Sequence, residues 1–153
     1  MSLNRLLQAA FVLVAGVGLA AQAANPLVGS WKLNAAKSKG SAYTSGTTVV
    51  TAAGAGITMK VTLTGPDGVH DWSFTANFDG KDVPVTGKSP YGDTVSLTRT
   101  NAQTTQVAVK RAGKATVTQT IVVAADGKSR TTTTKGVDAA GKPVDAVSVY
   151  ERQ

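Results

Sequence analysis

The sequence predicts an all-β protein: a single antiparallel up-and-down β-barrel of about 8–10 strands, preceded by an N-terminal signal peptide. Three observations predict it. Beyond residue 23 the chain alternates apolar and polar residues with period two, in segments dominated by Thr, Val and Gly. The Leu, Glu and Lys runs that build helices are missing there. Turn signals recur at hairpin spacing, so successive strands pair as a meander, and an open meander of this length would leave two exposed edges that closure removes.

The export segment comes first. Arg5 gives a positive start, residues 6–20 form an apolar run, and Ala21-Gln22-Ala23 is an A-x-A cleavage site. The run is short for a membrane-spanning helix, which needs about 20 apolar residues, and small residues follow it where an anchor would carry charge. Residues 1–23 are therefore expected to be a signal peptide, with residues 24–153 as one barrel domain. A chain of about 130 residues can bury one real core. No integral membrane segment is expected after cleavage.

The chain has no cysteine, which excludes disulfides and Cys-based zinc sites. Export without disulfides or a lipid-attachment cysteine points to a bacterial periplasmic or secreted protein. Formal net charge is +7, or +6 once Arg5 is removed. Lys81, Lys88, Lys114, Lys128 and Lys142 are spread over separate turns, so they read as solvated charges and not as a nucleic-acid patch.

The strands follow in order. The first is expected over 29–34, with one helical turn at 35–39 and a flexible loop at 40–46. That loop lacks the G-K-[ST] ending of a phosphate-binding loop. A second strand covers 47–51. A third covers 57–63, with Ile57, Met59, Val61 and Leu63 on one face. Gly65-Pro66-Asp67-Gly68 is a turn, because Pro fixes φ and Gly supplies a positive φ. In the strand over 69–78, His70, Trp72, Phe74, Ala76 and Phe78 share a face. Asp79-Gly80 reads as a hairpin into a shorter strand at 81–86, where Pro84 belongs at an edge, a gap or a bulge. Strands over 94–100, 104–111, 115–123, 129–135 and 144–152 complete the set.

The two ends carry more. Leu27-Val28-Gly29-Ser30-Trp31-Lys32-Leu33 resembles the opening strand of the calycins, the lipocalins and intracellular fatty-acid-binding proteins, which carries a G-x-W motif. Val149-Tyr150-Glu151-Arg152-Gln153 resembles the closing strand of the fatty-acid-binding branch. The text between, including Asp79-Gly80-Lys81-Asp82-Val83-Pro84-Val85-Thr86-Gly87, is similar to a group of exported bacterial proteins of unassigned function. The resemblance implies a closed barrel whose first and last strands meet. It implies that Gly29 and Trp31 mark the closed end, with Arg152 or Arg130 as a basic partner. It also implies an interior that can hold a small hydrophobic or amphipathic ligand. Two departures weaken a fatty-acid mechanism. Tyr150 matches the Tyr of the branch's R-x-Y pair, but Ser148 stands where its Arg would be, and the gap after the first strand is too short for two lid helices.

Candidate sites are weighed against plainer roles. His70 is the only histidine, so a histidine metal cluster is impossible, and it reads as a polar strand-end residue. Asp71 points to the opposite face from His70. With no nucleophile elbow and no cysteine, the expectation is a non-enzymatic protein without cofactor or metal. Arg99 is in phase with Val95 and Leu97. It either points inward to a partner or anionic ligand or emerges at the strand end to reach water. Arg111 and Arg130, near strand ends, are expected to be solvated. Met59, Trp72, Phe74 and Phe78 would line a cavity or simply fill the core. Tyr43 and Tyr91 sit in loops and would rim or cover a mouth. The expected function is ligand binding, with apolar contacts from those four residues and Tyr150 and Arg99 orienting a polar head. The alternative is a filled barrel serving as a structural or protein-interaction module of the cell envelope.

Overall fold

The computed structural model describes residues 24–153, so the signal peptide expected over 1–23 lies outside the described residues. Eleven strands form one antiparallel sheet: β1 Gly29–Lys39, β2 Ser45–Ala53, β3 Gly56–Gly65, β4 Gly68–Asn77, β5 Val83–Pro84, β6 Thr86–Gly87, β7 Thr94–Arg99, β8 Thr104–Arg111, β9 Lys114–Val123, β10 Ser129–Val137 and β11 Pro143–Arg152. The sheet curls into a nearly closed barrel, the architecture that the resemblance implies. Among the described residues no helix is long and apolar enough to cross a membrane.

Closure comes from the chain ends. β11 pairs with β1 in the register Trp31 opposite Arg152 and Leu33 opposite Tyr150. The meander then runs without interruption from β7 through β11 and from β1 through β4. Its one seam lies between β4 and β7. There Asp79 bridges Thr98, and the Gly80 N–H donates to the Leu97 carbonyl at 2.9 Å.

The single strand expected at 81–86 is split to span that seam. Val83 and Pro84 pair with β7, whereas Thr86 and Gly87 pair with Ser73 and Trp72 of β4. Asp79-Gly80 is consequently no tight hairpin, because the residues after it join a different strand first. Pro84 lies at the sheet edge, where its missing N–H leaves no ladder bond unmade.

The helical turn expected at 35–39 is instead a bulge within β1. The register with β11 jumps from Asn34–Val149 to Lys39–Val147. Ser38 holds the bulge: its Oγ donates to the Asn34 carbonyl at 2.8 Å and accepts the Val149 N–H at 3.0 Å. The side chain replaces ladder partners that the extra residues displace.

Inward positions divide the interior into two walls. Met59, Val61 and Leu63 of β3, Phe74 of β4, Val95 and Leu97 of β7, and Val107 and Val109 of β8 are buried and apolar. Across from them, β2, β10 and β11 turn Thr48, Arg130, Thr132, Thr134, Ser148 and Tyr150 inward, all buried.

Candidate ligand chamber

One end of the barrel is sealed by Trp31. It is fully buried, and its indole Nε1–H donates to the Leu27 carbonyl at 2.9 Å. The Arg152 guanidinium lies 4.2 Å from the centre of the Trp31 ring system. It donates to three carbonyls: Gly127 at 2.6 Å, Val28 at 2.8 Å and Pro26 at 2.7 Å. Those acceptors belong to the β9–β10 turn and to the segment entering β1, so one side chain ties both to the last strand. Gly29 has φ of 145°, and a Cβ there would collide with Arg152 Nη1. The glycine of the G-x-W motif thus leaves room for the arginine that stacks on its tryptophan. Of the two basic partners proposed, Arg152 is the plug.

Arg130 does something else, and its expected solvation is corrected. It is only 3% exposed, in phase with Thr132 and Thr134, and directed into the barrel. Its guanidinium lies 4.3 Å from the Tyr150 ring centroid and 5.5 Å from that of Trp31. The ladder places Arg130 directly opposite Tyr150. Ion pairs among the described residues involve only exposed or half-exposed lysines, and none reaches Arg130. Its Nε is buried without a hydrogen-bond partner, as are the hydroxyls of Thr48 and Thr132. Burial lowers the Arg130 pKa to about 10, partly offset by Tyr150, so the group stays cationic at neutral pH.

The residues that carry these unpartnered groups line a chamber of about 50 Å³. Its lining includes Thr48, Arg130, Thr132, Ser148 and Tyr150 on the polar side, and Met59, Trp72 and Phe74 on the apolar side. No carboxylate lines it. Burial raises the Tyr150 phenol pKa while Arg130 pulls it down, so the hydroxyl remains a donor at neutral pH. The polar side can supply N–H and O–H donors to one anion, and the apolar side can take a short hydrocarbon neck.

The sequence-derived site residues are therefore separated. Tyr150, Trp72, Phe74 and Met59 reach the chamber, whereas Arg99 and Phe78 do not. Arg99 is exposed at the end of β7, with its guanidinium 4.1 Å above the Phe78 ring. Arg99 is the last residue of β7, still paired with Thr105, and its side chain emerges at the strand end to reach water, the second of the two placements its phase allowed. Gly29 and Trp31 sit at the plugged end.

At the other end, loop residues form a vestibule of about 440 Å³. Tyr43 and Tyr91 line both the vestibule and the chamber. His70 meets Tyr43 edge-on with ring centroids 5.9 Å apart, and Trp72 meets Tyr91 edge-on at 6.3 Å. No family model matches the sequence, and no curated protein matches it significantly.

Proposed function

We propose that this chain is an exported, non-enzymatic, lipocalin-like barrel that holds a small amphipathic molecule by an anionic head at Arg130. One observation carries the reading: a buried guanidinium, unpaired with any carboxylate, lines an interior chamber together with two unpartnered hydroxyls. A buried cation is costly unless an anion and hydrogen bonds compensate it, and a fold retains such a cost most readily where a ligand removes it. A carboxylate-type head entering the chamber would meet Arg130, with the hydroxyls of Thr48, Thr132 and Tyr150 as further donors. Met59, Phe74 and Trp72 would cover the first carbons of its neck.

Arg130 takes the head-orienting role that the sequence assigned to Arg99, and Tyr150 keeps its own. The lining has no histidine, cysteine or carboxylate to act as general base or nucleophile, which supports binding without turnover. The A-x-A segment at residues 21–23 supports export to a bacterial periplasm or medium. Native mass spectrometry of the protein recovered from its own compartment tests the reading. A bound organic anion that is absent from Arg130→Met is expected, and a ligand-free wild type that also ignores added monocarboxylates would sink it.

A second reading has one observation in its favour. A chamber of about 50 Å³ is small, and a nearly filled barrel suits an envelope interaction module. Pull-down from envelope extracts separates the two, since a stable protein partner with an unliganded interior favours the module.

A further inference from the structure

We infer that the Tyr43–Tyr91 pair sets ligand specificity, admitting only a compact anionic head to the chamber and holding the bulky body of the ligand outside, in the vestibule. The inference rests on the binding reading above and names the ligand class: a monoanion whose body is short and ring-like, not a long acyl chain.

Size is the first argument. A water-sized group needs about 10–15 Å³ of such space, so the chamber of about 50 Å³ takes a carboxylate and a carbon or two. Pockets that enclose whole organic ligands run to about 300–1,000 Å³, a range that the vestibule of about 440 Å³ enters and the chamber does not. The interior of the barrel is therefore no tunnel for an extended chain.

The partition is built, not incidental. Tyr43 comes from the β1–β2 loop and Tyr91 from the β6–β7 loop, and each is anchored at its backbone. The Tyr43 N–H donates to Ser41 Oγ at 3.3 Å, and the Tyr91 N–H donates to Ser89 Oγ at 3.2 Å. Gly65 flanks the Tyr43 ring so closely that a Cβ there would stand 3.1 Å from it. His70 and Trp72 brace the two rings from β4. Burial raises both phenol pKa values, so both are neutral at pH 7. Neutral phenols add no charge between the compartments, so within the chamber lining the cation is Arg130, while Asp67, Asp138 and Lys142 stand at the vestibule. Pro66, Pro90, Pro143 and Val144 give the vestibule rigid apolar wall segments suited to a flat body, between those charged side chains.

Calorimetric titration with naphthoate, its neutral amide and hexadecanoate, against the wild type and Tyr43→Ala/Tyr91→Ala, tests the inference. The wild type is expected to bind naphthoate at least about tenfold more tightly than either the amide or hexadecanoate. In the double variant the compartments merge, and hexadecanoate is expected to gain about tenfold or more. Hexadecanoate binding the wild type as tightly as naphthoate, or a ratio unchanged in the variant, overturns the specificity role while leaving the binding reading intact. Silence of all three probes in both proteins overturns both. Should the double variant not fold by circular dichroism, Tyr43→Ala alone, on a loop, carries the same comparison.

Discussion

At the scale of the residue, two arginines on adjacent strands have opposite roles. Arg152 is satisfied by three carbonyls and a tryptophan face, so it stabilises. Arg152→Met is expected to cost about 2–4 kcal/mol, because it removes three charged donors and leaves the carbonyls of Pro26, Val28 and Gly127 to find others. Urea unfolding measures this, and a loss under about 0.5 kcal/mol would mean that the plug is ornamental. Arg130 is buried against the Tyr150 ring with no carboxylate beside it and its Nε without a hydrogen-bond partner, so burial of its charge is less fully compensated. The sequence made the first arginine readable and hid the second. Gly29-Ser30-Trp31 and the closing Tyr150-Glu151-Arg152 together point to a plugged end. The inner face of β10, by contrast, is Arg130, Thr132 and Thr134, and its outer face holds Thr131 and Thr133. With no apolar residue to mark the phase, alternation cannot say which side faces in. The pairing of Arg130 with Tyr150 across the ladder is a fact of register and becomes visible only in three dimensions.

At the scale of the element, the segment Val83–Gly87 decides how the barrel closes. Its two halves are the two edges of the sheet, so the edges are covalently joined, and the one isolated bridge across the seam among the described residues lies elsewhere, between Asp79 and Thr98. Short pairing on each side means little cooperative protection. Amide hydrogen exchange is expected to be at least about a hundredfold faster at Val83, Val85 and Thr86 than in the β10–β11–β1 ladder. Equal protection would mean that the seam is a true strand pair. Sequence reasoning found a strand here but not its division, since Pro84 marks an edge without saying which strand lies beside it. The bulge in β1 is hidden from the sequence for a related reason. Ala35-Ala36-Lys37-Ser38 favours a helical turn locally, and the ladder with β11 overrides that preference through Ser38.

At the scale of the whole molecule, the meander and its closure by the chain ends were legible, because period-two patterning and turn spacing are properties of the entire chain. The division of the interior into an apolar wall and a polar wall has a consequence for pH. Burial raises the pKa values of Tyr43, Tyr91 and Tyr150, so above pH 10.0 the unfolded chain loses phenolic protons that the folded chain keeps. Stability gained below that pH is therefore lost as pH rises through the folded values. Arg130 acts the other way: its folded pKa of about 10 lies below its unfolded 12.5, so its own cost is relieved over that interval. Three phenols outweigh one guanidinium, and net stability is expected to fall with alkaline pH. Tyr91→Phe is expected to make that fall shallower by up to about 1.4 kcal/mol per pH unit. An unchanged slope in urea unfolding series above pH 10.0 would place the Tyr91 hydroxyl in water.

On the proposed reading Arg130, which stacks on Tyr150 but meets no carboxylate, is a cation kept for the sake of an anionic ligand. Calorimetric titration of naphthoate into the wild type and Arg130→Met tests it most directly, because Met keeps the volume and an apolar group there is expected to leave the fold intact or more stable. Measurable binding to the wild type and a loss of at least about a hundredfold in the variant are expected. Equal affinity in the two proteins would contradict it.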